Sequence, residues 1–365
     1  MAQTTSLASY KTALHQMTQT TATCLWNDSA SIEELTRSIA DGAVGATCNP
    51  VIALGVVKAD LAHWGPRIRA LLDELPTATE SQISWKVVEE LSVRAATLLE
   101  PAFRAHRGRN GRLSIQTDPH LFRDSAALVQ QAVHFDQLAT NMIVKIPATR
   151  AGIPAIEEAT YRGISINATV SFALPQCVAV AEAVERGLQR REREGKDIAS
   201  MGPVCTIMVG RLDDWLKSVA DKDGVTVDPG TFEWAGVAVF KKAYQVFRER
   251  GYRLRLLSAA FRNHLQWSEL IGGDVVISPP YAWQVRLNKS GVAVESRIDR
   301  PVEPRIVEQL HRFADFRRAY DEDGMSIAEF DSYGPTRRTL RQFLAACAEL
   351  DAVIRNVMVP DPDKP

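Results

Sequence analysis

The chain has 365 residues, of which 45% are hydrophobic and 24% are charged, and its formal net charge is −1. This composition is typical of a globular protein with a large buried core, and the length suits an α/β barrel. Because the charge is nearly balanced, we expect neither a nucleic acid nor an anionic membrane as a partner.

The cysteines and histidines show no pattern typical of a disulfide framework or a metal site. The five cysteines are scattered without Cys-x-x-Cys pairing, which favours reduced thiols. The seven histidines form no His-Glu-x-x-His or similar cluster, so no metal ligand is predicted. The polar stretch Met1–Thr23 lacks the apolar core of a signal peptide, and no later apolar run has membrane-spanning length. We therefore expect a cytoplasmic protein.

Short apolar segments alternate with amphipathic helices along most of the chain. The apolar segments predict eight strands, at 23–28, 43–48, 113–116, 142–146, 164–169, 204–208, 254–260 and 274–277. The helical patterns lie near 31–40, 52–72, 85–105, 121–139, 155–161 and 232–250, with further helices after residues 169 and 210.

Eight strands, each followed by helix, predict a parallel sheet that closes into a (β/α)8 TIM barrel with extra helices. The barrel core spans about 21–285 of a single 1–365 domain. Two more helices, near 305–319 and 336–357, belong to a C-terminal helical extension over 286–365 that we expect to pack on the barrel.

The fourth strand carries a lysine inside an apolar run. Because side chains alternate in a strand, Ile143 and Lys145 share one face, while Met142, Val144 and Ile146 share the other. Desolvation lowers the pKa of a lysine and raises the fraction of free amine, which can attack a carbonyl carbon to form a Schiff base. The alternative is a lysine whose buried stem carries its ammonium out to water.

Chemistry in such a barrel is expected at the carboxyl ends of the strands. Polar residues at or just past those ends are Asp28, Asn49, Gln116, Lys145, Asn167, Thr169, Thr206, Arg211 and Arg262. Each has an ordinary explanation: Asn49 as a turn residue before Pro50, Asn167 and Thr169 as strand-end caps, the arginines as solvated surface. One polar residue at nearly every strand end nevertheless favours one pocket.

With these residues in place, the chain resembles the transaldolase family over most of 23–280. The resemblance is carried by six motifs in matching order and spacing. They are Trp-Asn-Asp at 26–28, Ala-Thr-Cys-Asn-Pro at 46–50, Val-Lys-Ile-Pro-Ala-Thr at 144–149, Ile-Asn-Ala-Thr at 166–169, Val-Gly-Arg at 209–211 and Ala-Phe-Arg at 260–262. The extension past Arg286 is matched only loosely.

The resemblance implies a class I aldol mechanism without metal or cofactor. Lys145 would form the Schiff base with a ketose phosphate, and Asp28 would be the general base that takes the C4 hydroxyl proton. Thr169 would position a catalytic water. In the family a Glu acts as acid/base through this water, and Gln116 stands at its position here.

The resemblance also implies a set of substrate-binding residues. Asn49, Asn167 and Thr206 would hold the sugar, with Thr206 in place of a usual Ser. Arg211 and Arg262 would clamp the terminal phosphate, since a guanidinium fork matches phosphate geometry. The expected partners are small sugar phosphates, and a homodimer is plausible for the family.

Three departures from the family pattern bear on function: Gln116 for Glu, Thr206 for Ser, which keeps the hydroxyl, and Ala260 for Ser. Gln116 can orient a water but cannot accept its proton. Fructose-6-phosphate aldolases also have Gln here but pair it with a Tyr after strand six, where this chain has Met208. Ala260 replaces a phosphate-binding Ser, a loss on the order of 1 kcal/mol.

The leading interpretation is a transferase that moves a dihydroxyacetone unit between sugar phosphates. Its altered acid/base residues suggest a specialised substrate rather than routine pentose phosphate pathway flux. One alternative is an aldolase-like lyase that releases the three-carbon unit, which Gln116 motivates. The other is a catalytically impaired sugar-phosphate-binding protein, against which the presence of Asp28 and Lys145 argues.

Overall fold

The computed structural model describes residues 10–363, so part of the stretch Met1–Thr23 lies outside the described residues. Eight parallel strands close into a barrel, each paired with the next in the chain and the last with the first. They are β1 (Cys24–Asn27), β2 (Ala43–Thr47), β3 (Arg112–Gln116), β4 (Met142–Pro147), β5 (Ile166–Thr169), β6 (Val204–Ile207), β7 (Arg255–Ala259) and β8 (Val276–Ser278).

Helices surround the barrel on the outside and extend beyond it. Those within the described residues are α1 (Ala13–Thr20), α2 (Ile32–Ala40), α3 (Pro50–Ala59), α4 (Leu61–Glu74), α5 (Glu80–Ala105), α6 (Ser125–Asp136), α7 (Gly152–Tyr161), α8 (Leu174–Arg193), α9 (Val209–Asp223), α10 (Ala235–Arg250), α11 (Leu265–Ser268), α12 (Tyr281–Asn288), α13 (Pro304–His311), α14 (Ala314–Tyr320) and α15 (Gly334–Met358).

The predicted architecture is confirmed as a (β/α)8 TIM barrel with extra helices. All eight predicted strands are present, and each begins and ends within two residues of its predicted bounds. The apolar patterning and the turn residues thus locate the strands well, because each strand is buried on both faces.

One predicted helix, over 52–72, is wrong in its continuity. The structure has α3 and α4 instead, separated at Asp60, where φ is −135° and ψ is 56°. The Asp60 carboxylate accepts the backbone N–H of His63 at 3.2 Å and so caps the second helix. A capping side chain in the middle of an apolar pattern therefore overrides the periodicity.

The barrel interior is arranged in layers of inward-facing side chains. A central apolar layer consists of Trp26, Ile143, Val204, Leu257, Ala259 and Val276. Because strand side chains alternate, the residue two positions after Ile143, which is Lys145, also faces the interior but lies nearer the carboxyl ends. The same holds for Thr206, two positions after Val204. The central layer thus forms an apolar floor beneath the polar residues.

The C-terminal extension packs on the barrel, and its last helix crosses the carboxyl ends of the strands. α15 contacts α3 and α5, which follow β2, and α9, which follows β6. It also contacts a 3-10 turn at Pro119–Leu121, just after β3. None of the helices within residues 10–363 combines the length and hydropathy that a membrane crossing requires.

The central apolar layer should dominate the stability of the barrel. Leu257 is fully buried there, whereas Leu61 at the start of α4 is 49% exposed. We expect Leu257→Ala to lower the free energy of unfolding by about 2–5 kcal/mol, since it removes buried methyl groups and leaves a cavity. The matched surface change Leu61→Ala should stay within about 0.5 kcal/mol. Urea denaturation followed by circular dichroism measures both, and equal effects would contradict the layered interior.

Candidate active site

Lys145 lies in the barrel interior, near the carboxyl end of β4, and is 5% exposed. In the strand register it stands beside Gln116 of β3 on one side and Asn167 of β5 on the other. These three side chains were predicted because each lies at the end of its strand. The register of the neighbouring strands places them together in one layer.

Burial lowers the pKa of the Lys145 ammonium, and the Arg211 guanidinium lowers it further. The carboxylate of Asp28 raises it, but less than burial lowers it. Within the described residues the side-chain amine of Lys145 makes no hydrogen bond or ion pair. The buried Lys241, by contrast, donates to Glu269 at 2.7 Å and to two backbone carbonyls. Lys145 is thus a buried amine held by no fixed partner, which is the state that a nucleophilic amine needs.

Asp28 follows β1 and interacts electrostatically with Lys145. Burial raises the pKa of the Asp28 carboxyl, while Lys145 and a hydrogen bond from the Thr47 hydroxyl lower it. The Thr47 hydroxyl fixes one carboxylate oxygen and leaves the other oxygen for a different partner. Asp28 can therefore accept a proton within the same polar layer as the amine.

Gln116 ends β3, is 4% exposed, and its Oε1 atom has no hydrogen-bond partner within the described chain. It lines a cavity of about 20 Å³ together with Asn49 and with Asp351 of α15. A cavity of this size has room for about one water molecule, and Gln116, Asn49 and Asp351 are among the few polar groups of a largely apolar lining. The amide oxygen is therefore placed as an acceptor for a small polar group.

Asn49 is a turn residue before Pro50, as its place in the sequence predicts, and it also lies beside the candidate site. Its Oδ1 atom accepts the backbone N–H groups of Val51 and Ile52, at 2.9 and 3.1 Å, and so caps α3. Its amide nitrogen is left as a donor beside the cavity that Gln116 also lines. Turn chemistry and ligand binding are thus compatible at this position.

Asn167 is fully buried and held on both sides. Its Nδ2 donates to the Ser114 hydroxyl at 3.0 Å, and its Oδ1 accepts from the Thr206 hydroxyl at 2.7 Å. These two bonds fix the orientation of the amide. Thr206 therefore acts through Asn167, and Thr169, buried at the end of β5, lies one step nearer the mouth.

Arg211 and Arg262 line one cavity of about 310 Å³ with Asp214 and residues of α15. Arg262 donates to the Asp214 carboxylate at 2.8 Å. Arg211 donates to the Thr339 hydroxyl at 3.2 Å and to Gln342, both on α15, and its Nε atom is unpartnered. Burial and the nearby Arg262 lower the pKa of Arg211 to about 10. Three guanidinium groups, those of Arg211, Arg262 and Arg338, and one carboxylate leave this cavity with an excess positive charge.

The backbone around the two arginines is packed too tightly for larger residues. Ala260 has a left-handed φ of +65°, which is unusual for a residue with a Cβ. A Cβ at Gly210 would lie 2.0 Å from the Ala260 carbonyl oxygen, so only glycine allows α9 to begin this close to the loop after β7. This contact sets the separation of Arg211 and Arg262.

Several residues that contact the candidate site residues were not predicted from the sequence. Thr47 and Ser114 lie within strands, and only polar residues at or just past the strand ends were predicted as site residues. Thr339 and Gln342 come from an extension that carries no motif. Met208, by contrast, is buried at the start of α9 and offers no acid/base group, as expected from its position.

The structure also brings together one group that sequence spacing did not reveal. Asp118, His120 and Cys347 each have a side-chain atom that can bind a metal ion, and these three atoms lie within 4.8 Å of one another. Among the described residues, this is the group of His, Cys, Asp or Glu side chains close enough to hold a metal ion. His120 already bonds Asp118 at 2.7 Å through Nδ1. The group lies where α15 meets the turn after β3, outside the layer that contains Lys145.

Comparison with known proteins agrees with this geometry. The family described as "Transaldolase/Fructose-6-phosphate aldolase" matches residues 25–331, which extends further toward the C-terminus than the motifs indicated. "Transaldolase 1" of Streptomyces avermitilis is 34% identical over 218 residues, covering 56% of this chain and 54% of that protein. "Transaldolase 1" of Streptomyces coelicolor is 32% identical over 250 residues, covering 65% and 62%.

A third relative, "Transaldolase" of Kocuria rhizophila, is 31% identical over 235 residues and covers 62% of each chain. The alignments thus span less than two thirds of the length of these curated relatives. The family match, however, covers most of the chain, including all eight strands except the first residue of β1. The chain therefore belongs to the transaldolase/fructose-6-phosphate aldolase family.

Proposed function

We propose that this protein is a transaldolase-like transferase that moves a three-carbon dihydroxyacetone unit from a ketose phosphate to an aldose phosphate. The observation that carries the proposal is Lys145, a buried amine with a lowered pKa, no fixed partner and Asp28 in the same layer. Family membership supports the same chemistry.

In the proposed reaction the Lys145 amine attacks the C2 carbonyl of the ketose, and loss of water gives an iminium. Asp28 takes the C4 hydroxyl proton. The C3–C4 bond then breaks, its electron pair moves into the iminium to form an enamine, and the aldehyde leaves. The enamine carbon attacks the acceptor aldehyde, the new alkoxide takes the proton back, and hydrolysis returns the free amine.

The substrate contacts follow the geometry of the layer. The free amide nitrogen of Asn49 and the fixed amide of Asn167 would hold hydroxyls of the sugar, with Thr206 keeping Asn167 in place. Arg211 and Arg262 would bind the phosphate in the cavity of about 310 Å³. The Thr339 hydroxyl in that cavity would supply the donor that Ala260 lacks.

Gln116 favours a second candidate function, a lyase that releases the three-carbon unit without an acceptor. Its unpartnered Oε1 can orient a water beside Thr169 but cannot take up a proton. Release requires a proton on the enamine carbon, and the water that Gln116 orients would supply that proton. Transfer to an acceptor aldehyde needs no proton on this carbon, so the acceptor requirement distinguishes the two functions.

We further propose a cytoplasmic location, which the free state of all five cysteines supports. Carbohydrate metabolism among sugar phosphates is the corresponding role. A homodimer is proposed from the family resemblance alone.

Borohydride trapping tests the Schiff base. We expect incubation with fructose 6-phosphate and borohydride to leave a three-carbon adduct on Lys145, identified by peptide mass spectrometry. Lys241, which is also buried but paired with Glu269, serves as the control within the same digest and should stay unmodified. Lys145→Ala should show neither adduct nor turnover. An absence of adduct with this donor, with sedoheptulose 7-phosphate and with dihydroxyacetone would overturn the proposed function.

The pH dependence of Lys145 reactivity should follow its neighbours. The rate of reductive methylation of Lys145 should rise with pH, with a midpoint below that of ordinary lysines, because burial lowers its pKa. Asp28→Asn removes a carboxylate that raises this pKa, so the midpoint should move to lower pH. Arg211→Met removes a cation that lowers it, so the midpoint should move to higher pH. Shifts of the same sign in both variants would contradict the arrangement.

An acid/base group at position 116 should increase turnover. We expect Gln116→Glu to raise the transfer rate from fructose 6-phosphate to erythrose 4-phosphate at least about tenfold, since general acid–base catalysis contributes about 10²–10⁴-fold. Gln116→Ala, which removes the amide without adding a carboxylate, should lower it. Product formed by the native protein at an undiminished rate without erythrose 4-phosphate would favour the lyase.

A further inference from the structure

A second basic groove lies beside the cavity of Arg211 and Arg262. It has a volume of about 520 Å³, and its charged lining consists of Arg318, Arg337, Arg338, Arg341 and Asp315. Arg338 lines both spaces. The two spaces therefore adjoin at Arg338. The family match ends at residue 331, so it does not extend to the three arginines of α15.

The charges in this groove are not balanced by the protein. Asp315 is the one carboxylate of the lining, and it already pairs with Arg318 at 3.5 Å and accepts from the Trp215 indole at 2.7 Å. Arg337, Arg338 and Arg341 form no ion pair with a carboxylate within residues 10–363. Elsewhere on the surface an arginine is either paired, as Arg253 is with two glutamates, or stands singly without an ion pair in the described residues, as Arg69 does, whereas three unpaired arginines share this groove.

The position of these arginines on the helix adds to the imbalance. Arg337 lies at the end of the first turn of α15, which contains no acidic residue, and Arg338 and Arg341 follow in the next turns. The N-terminal end of a helix carries a partial positive charge, so cations there destabilise the helix and anions stabilise it. A charged helix face that served only to interact with water would not need cations at the N-terminal end of the helix. A bound anion would relieve both the mutual repulsion and the unfavourable end charge.

The shared arginine is held in place before any ligand binds. The Arg338 guanidinium lies 4.7 Å from the Trp215 ring centroid, and Nη1 donates to the Ser218 hydroxyl at 3.1 Å. Arg318 is likewise placed 5.1 Å from the Tyr333 ring centroid. Fixed guanidinium groups lose little conformational entropy on binding, and their forks match the oxygens of a phosphoryl group.

We propose that this groove is a second phosphoryl-binding subsite, with Arg337, Arg338 and Arg341 as its ligands. The inference rests on the proposed function in one respect, that the adjoining cavity of Arg211 and Arg262 receives the substrate phosphate. The occupant is a phosphate dianion, either the second phosphate of a bisphosphorylated sugar or free inorganic phosphate.

Calorimetric titration with inorganic phosphate tests the subsite, at constant ionic strength. We expect two phosphates to bind per native chain and one to bind to the double variant Arg337→Ala/Arg341→Ala. Arg262→Ala should lose the other phosphate. The matched control is Arg69→Ala, an exposed arginine on α4 that makes no ion pair within the described chain and should still bind two. One phosphate on the native chain, or an unchanged count in the double variant, would overturn the proposal.

A second titration distinguishes the sources of the phosphate and is made on Lys145→Ala, so that no Schiff base forms. If a single bisphosphorylated sugar can span the two adjoining spaces, fructose 1,6-bisphosphate should bind at least about tenfold more tightly than fructose 6-phosphate, and the double variant should lose this preference. Equal affinities, with two inorganic phosphates still bound, assign the subsite to free phosphate. Because these measurements need no catalysis, failure of the Schiff-base chemistry would leave them unaffected.

Thermal unfolding provides an independent check that the variant is folded. Without phosphate, the double variant should unfold at the same temperature as the native chain or higher, because it has lost repelling charges at a helix N-terminus. Phosphate should raise the unfolding temperature of the native chain more than that of the variant. An equal rise in both would contradict a subsite at these arginines.

Discussion

The pairing of β1 with β8 is the constraint on which the site depends, since it closes the sheet and makes every inward-facing side chain share one small interior. Because the strands pair in sequential order, residues from distant segments meet in the same layer. Lys145 and Asp28 are charged groups that water would separate, but closure places both above an apolar floor. Burial then pushes each toward its neutral form, while their mutual attraction opposes this.

The barrel was predictable because its signals are local. Apolar runs ended by turn residues define the strands, and their count implies closure. Lys145, Asp28, Arg211 and Arg262 were predictable for a related reason, because strand ends converge and their chemistry is unusual for those positions. Their roles remain proposals; the structure brings Lys145 and Asp28 into one layer and Arg211 and Arg262 into one cavity.

The remaining parts depend on tertiary contacts that leave no mark in a short stretch of sequence. Thr47 and Ser114 are ordinary strand residues until Asp28 and Asn167 are placed against them. The break between α3 and α4 depends on the Asp60 carboxylate, which accepts the backbone N–H of His63 and so caps α4. Arg211 is oriented by Thr339 and Gln342. These residues are so far from Arg211 along the chain that no sequence periodicity indicates the contact.

α15 gives this barrel a site made from two parts of the chain that are synthesised at different times. All eight strands precede it, so on a translating ribosome the barrel can close while the helix is still being added. Its buried stripe, which includes Leu340, Phe343 and Leu350, then docks over an already formed mouth. The scaffold would mature first and the cavity of Arg211 and Arg262 last, so a nascent chain would hold the proposed Schiff-base lysine before the proposed phosphate site was complete.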